Sequence, residues 1–313
     1  MRRSLTAAVA AGAVALAGVL IGAGALAALT SAVQAATASP SGAIAPIAAG
    51  SSVAVIVMEN HEYGEVIGSP AAPFINGLVK RSALATDMHA ATHPSLPNYL
   101  ALTSASTFGI SSDCTSCTVG ATSIVDQLEA ARISWKAYME DIPRPCFTGA
   151  GAADYAKKHD PFVYYTRVVH DARWCRNVVP LTELATDQHR RELPRFIWIT
   201  PNLCHDMHDC SLSTADHFLA RLLPPLLARL GHNGLLFLTW DEGTSDDGCC
   251  RLAAGGHIAT IVAGPGARRH ARFATPVDHY SLLQAIEDLF EVRRLGGAAC
   301  ACTPSLSPLL VAK

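Results

Sequence analysis

The chain has 313 residues, half of them hydrophobic, and a formal net charge of −2. This length and composition suffice for one large buried core, in one α/β domain or in two small ones. The balanced charge does not favour a nucleic-acid-binding protein, which usually carries a basic face. The charged content of 16% is low for a local reason, because no Asp, Glu, Lys or Arg occurs between Arg3 and Glu59.

The uncharged N-terminal stretch has the pattern of a secretory signal. Arg2 and Arg3 precede an apolar run that reaches Leu29, and small-residue cleavage sites follow near residue 35. We therefore expect a signal peptide over 1–35, a disordered spacer over 36–52, and one folded domain over 53–313 of a secreted protein. The alternative is an uncleaved membrane anchor, since about 20 apolar residues can span a bilayer. The run is rich in Ala and Gly, and is therefore weakly hydrophobic for an anchor.

Cysteine usage supports export. The ten cysteines are an even number, which favours disulfides in an exported protein over zinc ribbons, because ribbons need two well-spaced pairs and a cytosolic setting. We predict one pairing, between Cys204 and Cys210, whose numbers differ by six. A disulfide there would hold the residues of the intervening loop in place.

Short apolar runs rich in β-branched residues predict buried strands, and they alternate with stretches of helical spacing. This alternation predicts a doubly wound, mostly parallel α/β sheet with helices on both faces. We expect strands at 53–58, 196–200, 235–239 and 258–263, and helices at 73–82, 97–104, 123–132, 214–230 and 279–292. Pro224 and Pro225 should kink or split the fourth helix. The less regular stretch from Cys114 to Thr186 should form an insertion over the sheet edge.

Three polar clusters follow predicted strands directly. They are Glu59-Asn60, the segment from Asn202 to Asp209, and Asp241-Glu242. In doubly wound sheets, function lies at the carboxyl ends of the strands. Each cluster alone is compatible with a helix cap or a turn, but the three together indicate a site.

The segment from Thr92 to Tyr99, THPSLPNY, places the Ser95 hydroxyl just before a predicted helix. The N-terminus of a helix offers free amides and the positive end of a dipole, which suit a phosphate group. Ser95 could act as a nucleophile if a metal lowered its pKa, and Asn98 could then donate to a phosphoryl oxygen. The alternative is that Ser95 only caps the helix.

The clusters also contain ligands for a divalent metal ion. Oxygen-dominated sets suit Mg, Ca or Mn, and added histidine admits Zn or Fe. The candidate ligands are Glu59, Asn60, Asp206, Asp241 and Glu242 through oxygen, and His208 and His279 through nitrogen.

These residues resemble those of the bacterial phosphoesterase family, which includes secreted acid phosphatases, phosphatidylinositol-phosphate phosphatases and phospholipases C. The resemblance runs in order from about Val53 to Val292. It is carried by Met58-Glu59-Asn60, His93 to Tyr99, Tyr155 to Phe162, Pro201-Asn202 with Asp206 and His208, Trp240-Asp241-Glu242, and His279-Tyr280-Ser281.

The resemblance implies a fold similar to that of alkaline phosphatase and a covalent phosphoseryl intermediate. Ser95 stands three residues before Asn98, as the nucleophile does in related phosphodiesterases, and Thr92 is kept as a reserve candidate. Asp241-Glu242 stands where two-zinc relatives have Asp-His, so the resemblance implies one firmly bound divalent metal, with a weaker second one as an alternative to a single ion.

The other site residues receive their roles from the same resemblance. Glu59, Asn60, Asp241 and Glu242 match the metal-holding positions. Asp206, His208 and His279 match positions that hold a second metal or contact phosphate, and His159 matches a phosphate contact or leaving-group acid. We expect His93, Lys158 and Asn202 to contact the substrate.

The expected function is a secreted, metal-assisted phosphomonoesterase, an acid phosphatase acting on phosphoinositide phosphates or small phosphate esters. The charges of His93, Lys158 and His159 near the phosphate favour the more negative monoester. A phospholipase C that cleaves a diester is the alternative within the same chemistry, and a non-catalytic secreted binding protein with a degenerate site is the alternative of another class. A sulfatase is disfavoured, because no Cys-x-Pro-x-Arg or Ser-x-Pro-x-Arg segment occurs. We expect no nucleic-acid partner and no stable protein partner.

Overall fold

The runs predicted as strands form the centre of one large sheet in the computed structural model, which describes residues 43–250 and 253–312. The order in this sheet is β10-β2-β9-β8-β1-β7-β3-β6, with β11 also paired to β2, and β4 and β5 pair separately. The strands are β1 (Val53–Met58), β2 (Ala83–His89), β3 (Trp135–Met139), β4 (Gly151–Ala152), β5 (Tyr155–Ala156), β6 (Val178–Pro180), β7 (Phe196–Thr200), β8 (Leu235–Trp240), β9 (His257–Ala263), β10 (Arg272–Phe273) and β11 (Val277–Asp278).

The predicted, mostly parallel α/β sheet is confirmed. β1 lies near its centre, parallel to both β7 and β8, and every residue of β1 is buried. A continuous apolar run is what a strand covered on both faces requires. β9 differs from the predicted pattern, because it is antiparallel to both β8 and β2. A parallel neighbour needs a long crossover, usually a helix, whereas the described part of the segment between β8 and β9 contains no helix.

All five predicted helices are present. The nine α-helices of the described residues are α1 (Tyr63–Val66), α2 (Pro73–Arg81), α3 (Ser95–Ser104), α4 (Ile124–Ala130), α5 (Thr166–His170), α6 (Ala172–Cys175), α7 (Thr182–Arg190), α8 (Leu212–Leu227) and α9 (His279–Leu289). α2 packs against α8, and α3 packs against α9. Pro224 and Pro225 do not split α8; they lie within its last turn, and the helix ends two residues later.

The stretch from Cys114 to Thr186 extends the sheet, which corrects the expectation of an insertion over its edge. β3 pairs in parallel with β7, and β6 pairs in parallel with β3. β3 was not predicted from the sequence, because Lys136 interrupts its apolar residues. The Lys136 ammonium group is accommodated by an ion pair of 2.6 Å with Asp187 on α7.

Residues 43–52 pack against the domain, which corrects the expectation of a disordered spacer reaching residue 52. Ile47 is buried, and its backbone amide donates to the carbonyl oxygen of Leu289 over 2.8 Å. Ile44 forms an antiparallel bridge with Ala312. The predicted signal peptide and residues 36–42 lie outside the described residues. Within the part of the chain that is described, no helix has the length and apolar character to cross a membrane.

Candidate active site

The three acidic segments meet at one edge of the sheet, as their positions after strands predict. β7, β1 and β8 are adjacent and parallel, so their carboxyl ends lie side by side. Glu59, Asp206 and Asp241 have no exposed surface, and Glu242 is buried. The backbone amide of Glu59 donates to the carbonyl oxygen of Asp206 over 2.9 Å, which joins two of the loops. The fold therefore encloses four carboxyl groups in one region.

Ser95 is the first residue of α3, and its side chain contacts two of these carboxyl groups. Its Oγ donates to Glu242 Oε1 over 3.1 Å and lies 3.3 Å from Glu59 Oε2. The hydroxyl of Thr92, the reserve candidate, donates instead to the carbonyl oxygen of His93 over 3.2 Å. Of the two candidate hydroxyls, that of Ser95 is therefore the one held against the carboxylates.

His159 lies between two of the carboxylates. Its Nε2 is 3.2 Å from Glu59 Oε2, and its Nδ1 is 3.3 Å from Asp206 Oδ2. Burial by itself would lower the pKa of the ring, but the negative charges of the two adjacent carboxylates outweigh burial and raise the pKa of His159 to about 9. The buried imidazole is therefore positively charged at neutral pH and offsets part of the surrounding negative charge.

The carboxyl groups differ in how well their negative charge is supported. Burial opposes ionisation of Glu59, but the charge of His159 and hydrogen bonds from His159 and Tyr99 hold the pKa of Glu59 below its usual value. Burial raises the pKa of Asp206 to about 6. Burial and the nearby charges of Glu59 and Glu242 raise the pKa of Asp241 well above its usual value. Of these three groups, Glu59 has the best-supported negative charge and Asp241 the least supported.

Asp241 has a buried oxygen without a partner. Its Oδ1 accepts the backbone amides of Asn60 (3.3 Å) and Glu242 (2.6 Å), whereas its Oδ2 has no hydrogen-bond partner. The side chain of Asn60 likewise makes no hydrogen bond within the described residues. A buried polar atom left unpaired is costly, and a bound cation would satisfy it. Asp241 Oδ2 is therefore open to a cation, in agreement with the metal-binding role expected of Asp241.

A neighbouring group of side chains also has the composition of a metal site. Glu59, His159 and His208 each offer one ligand atom, and these atoms lie within 4.8 Å of one another. This group could hold a metal ion. Glu59 and His208 are already candidate ligands from the sequence, and the structure adds His159, which was expected to contact phosphate or to protonate the leaving group.

Three predicted substrate contacts lie on the accessible side of the carboxylate group. The side chains of Lys158, His208 and His93 are 22%, 26% and 33% exposed, so a substrate can reach them. Lys158 Nζ donates to His208 Nε2 and to Asp113 Oδ2, both over 3.1 Å. His93 Nδ1 makes a short contact with Glu242 Oε2.

Asn98 is already fully engaged in shaping the turn before Ser95. Its Nδ2 donates to the carbonyl oxygens of Thr92 (2.6 Å) and Pro94 (3.2 Å), and its Oδ1 accepts the Thr92 amide over 3.0 Å. No amide hydrogen is left for the phosphoryl oxygen that the sequence assigned to it. In this structure Asn98 therefore supports the turn that presents Ser95.

Asn202 is used in a similar way by the loop after β7. Its Oδ1 accepts the amides of Cys204 (3.2 Å) and His205 (2.8 Å), and its Nδ2 donates to Asp141 Oδ2 over 2.7 Å. The expected substrate contact is thus replaced by bonds that shape the loop before Asp206.

His279 is not brought to the metal-binding groups, which corrects the expectation that it is a ligand. Its Nε2 donates to the carbonyl oxygen of Trp240 over 3.1 Å, and its Nδ1 accepts the amide of Ala91 over 3.4 Å. Burial lowers the pKa of His279 to about 4, so the ring is neutral. Both nitrogens are engaged by backbone groups, and neither has a free lone pair for a metal.

Two residues contribute to the site without a predicted role. Asp113 Oδ1 accepts the amide of Leu96 over 2.9 Å, and its other oxygen pairs with Lys158. Nothing in the sequence singles out Asp113, which lies in the irregular stretch. The Tyr99 hydroxyl donates to Glu59 Oε1. Its position four residues after Ser95 puts both on one face of a helix, and this spacing could have revealed it.

The disulfide predicted between Cys204 and Cys210 is confirmed, and it closes the loop that contains Asp206 and His208. The backbone amide of His208 also donates to Asp206 Oδ1 over 2.8 Å, so the loop has its own internal support. The other pairs are Cys114–Cys117, Cys146–Cys175, Cys249–Cys250 and Cys300–Cys302.

Solved structures of the alkaline phosphatase type share this fold. A member of that superfamily from Vibrio parahaemolyticus covers 80% of this chain and 68% of its own, with a TM-score of 0.55 and 11% identity. The lipoteichoic acid synthase LtaP from Listeria monocytogenes covers 86% of this chain and 78% of its own, with a TM-score of 0.57 and 10% identity. At such low identity the likeness shows the fold alone. This chain therefore has the alkaline-phosphatase-like α/β architecture.

Within that class, the chain belongs to the Phosphoesterase family, whose model matches residues 69–293. The chain is 32% identical over 251 residues to a phosphatidylinositol-3-phosphatase of Mycobacterium tuberculosis, with 80% of each chain covered. It is 29% identical over 237 residues to a phosphate-repressible acid phosphatase of Penicillium chrysogenum, covering 72% of this chain and 56% of that one. The chain is therefore a hydrolase that acts on phosphoric ester bonds, as the sequence predicts.

Proposed function

We propose that this enzyme is a phosphomonoesterase of the acid phosphatase type, with Ser95 as its nucleophile. The observation that carries the proposal is the contact of the buried Ser95 hydroxyl with Glu242 and Glu59, inside a group of buried carboxyl groups. Capping of α3 alone does not require the serine hydroxyl to contact two buried carboxylates.

We further propose that a divalent metal ion completes the site, held by Glu59, Asn60, Asp241 and Glu242. The unpartnered Oδ2 of Asp241 supports this assignment. Such an ion, when bound, lowers the pKa of a nearby hydroxyl and offsets the charge of the phosphate. His159 and His208 are candidates for a second ion, through the donor group that they share with Glu59. Such an ion would have to displace the proton of His159 and one hydrogen bond of His208.

The reaction then proceeds in two displacements at phosphorus. Ser95 Oγ attacks as the bond to the leaving oxygen breaks, and its proton passes to the carboxylate cluster, where Glu242 Oε1 is the nearer acceptor at 3.1 Å. The leaving alcohol takes up a proton on the accessible side, where Lys158 and His208 lie. Water next attacks the phosphoseryl group, and Ser95 regains a proton as inorganic phosphate departs. Asn98 holds the turn that aims Ser95 throughout.

The proposed substrates are phosphate monoesters, including phosphoinositides phosphorylated on the inositol ring. The names of the relatives support this class, since one is a phosphatidylinositol-3-phosphatase and another an acid phosphatase. The accessible residues Lys158, His208 and His93 can contact the free oxygens of a dianionic monoester. A diester has fewer charged oxygens to offer, and charge-assisted contacts are the stronger ones.

Matched substrates test this proposal on the purified mature enzyme. We expect a larger kcat/KM for p-nitrophenyl phosphate than for bis(p-nitrophenyl) phosphate, and for vesicles with phosphatidylinositol 3-phosphate than for phosphatidylcholine vesicles. The Ser95→Ala variant is the blank for contaminating phosphatases. Faster turnover of both diesters would instead identify a phospholipase C-type enzyme, and binding without turnover would identify a non-catalytic protein.

We also propose that the enzyme works outside the cytoplasm. The support is the set of disulfides, which persist in oxidising compartments and are rare in the cytosol. Cell fractionation of the producing organism tests this. A thiol-reduced enzyme recovered from the cytosol would refute the proposed location.

A further inference from the structure

Glu62 is a carboxylate outside the predicted site, and it binds two chain segments at once. Its Oε1 accepts the backbone amides of Thr244 (2.8 Å) and Ser245 (2.9 Å), in the loop after β8. Its Oε2 accepts the amide of His257 over 3.0 Å, at the start of β9. We call this arrangement the Glu62 clamp. It joins the segment after β1 to both ends of the β8–β9 connection.

The loop held by the clamp leads directly to the nucleophile. The carbonyl oxygen of Ser245 accepts a hydrogen bond from His93 Nε2 over 2.9 Å, and the other nitrogen of that ring contacts Glu242. Glu242 in turn accepts the hydroxyl of Ser95. Four consecutive contacts thus run from Glu62 through Ser245, His93 and Glu242 to Ser95.

The second arm of the clamp reaches the nucleophile by another route. Just before His257, the amides of Ala254 and Gly255 donate to the carbonyl oxygens of Ala91 and Ala90, each over 3.1 Å. A Cβ at Gly255 would lie 2.3 Å from the carbonyl oxygen of Thr92, so the two backbones are in close contact. Residues 90–92 lead into the turn that presents Ser95. The side-chain contact of Ser95 with Glu242 and the backbone that leads to Ser95 are therefore both supported by segments that Glu62 binds.

Two glycines make room for the Glu62 carboxylate. A Cβ at Gly243 would lie 2.3 Å from Glu62 Oε1, and one at Gly256 would lie 2.7 Å from the same atom. Gly256 also has a φ of +96°, which disfavours any side chain. At Gly256 a Cβ would also meet the Gly243 backbone at 2.7 Å, whereas at Gly243 the nearest atoms are those of the Glu62 carboxyl group. A methyl group at Gly243 would therefore displace the carboxylate.

We propose that Glu62 is a positioning residue for the hydrolysis. It fixes the Ser245 carbonyl and residues 90–92. These groups in turn determine the positions of His93, Glu242 and Ser95 relative to one another. The inference rests on the proposed role of Ser95. Glu62 itself need not contact the substrate, so its loss should affect turnover more than binding. A displacement of about 1 Å at reacting groups can cost roughly a hundredfold in rate.

Kinetics of purified variants with p-nitrophenyl phosphate test the clamp. We expect Glu62→Ala to lower kcat by about a hundredfold with little change in KM. Glu62→Gln keeps an acceptor for Thr244 and Ser245, so it should recover part of kcat. Gly243→Ala should lower kcat although Glu62 is present. Adding it to Glu62→Ala should have a smaller effect, because only the Gly256 Cα at 3.1 Å then crowds the methyl group. Gly64→Ala is the matched control, because a Cβ there meets nothing within 4 Å.

A structural readout separates the clamp from the catalytic proposal. Hydrogen exchange of the backbone amides in residues 243–257 should be faster in Glu62→Ala than in the wild type, and unchanged in Gly64→Ala. A folded Glu62→Ala enzyme with wild-type kcat would overturn the inference, as would unchanged exchange in that segment. A wild-type protein without monoesterase activity would instead refute the proposed function, and exchange alone would then decide whether the clamp exists.

Discussion

The charge of the buried His159 ring predicts how the stability of the metal-free enzyme depends on pH. The folded protein raises the pKa of this ring from 6.5 to about 9, so it binds the proton more tightly than the unfolded chain does. The resulting stabilisation is complete below pH 6.5 and is lost as the pH rises through about 9. One pKa unit corresponds to about 1.4 kcal/mol, so this loss amounts to about 3 kcal/mol in the free energy of unfolding.

Urea unfolding of the chelated enzyme, followed by tryptophan fluorescence, measures this loss. Glu287 contributes with the same sign, because burial raises its pKa to about 8. The His159→Gln variant separates the two groups, since it keeps Glu287 but removes the imidazole. We expect the chelated wild type to lose more stability between pH 6.5 and 9 than the variant does, by at most about 3 kcal/mol, because removing the ring also raises the pKa of Glu59 and of Asp206.

An equal pH dependence in the two proteins would refute the assignment of a charged His159 between Glu59 and Asp206. Adding Mn²⁺ extends the experiment. Protons and a metal ion compete for the same carboxylates, so the stabilisation that Mn²⁺ provides should grow as the pH rises and Asp241, whose pKa lies well above its usual value, loses its proton. A gain from Mn²⁺ that is independent of pH would contradict the proposed ligands.

Three further variants test individual contacts. Ser95→Ala should lower kcat by several orders of magnitude in a folded protein, because the attacking oxygen is lost. Thr92→Ala should keep most of the activity. The reverse result would identify Thr92 as the nucleophile. Tyr99→Phe removes a hydrogen bond to a buried carboxylate, and urea unfolding should show a loss of about 1.5–3 kcal/mol. Replacing both Cys204 and Cys210 by Ser should lower the free energy of unfolding by about 2 kcal/mol, because the loop is no longer closed in the unfolded chain. The variant should also have lower activity, and unchanged kinetics would contradict this expectation.

The sequence by itself predicts the elements whose pattern is local. The short apolar run of β1, rich in β-branched residues, predicts a buried strand. Polar residues directly after β1, β7 and β8 must meet at one sheet edge once these strands are parallel neighbours. The position of Ser95 before a helix and the closure of the Cys204–Cys210 loop are likewise determined over a few residues. These predictions succeed because the physical causes lie within the same short segment.

Only the tertiary structure decides which polar atoms remain free. Asn98, Asn202 and His279 have the right chemistry for a site, but backbone groups of neighbouring segments engage their hydrogen-bonding atoms. His159 gains its charge from two carboxylates on other loops, and Glu62 gains its role from amides 182 to 195 residues away. Hydrogen bonding and burial depend on pairs that are distant in the chain, so no local pattern distinguishes a free ligand from a satisfied one.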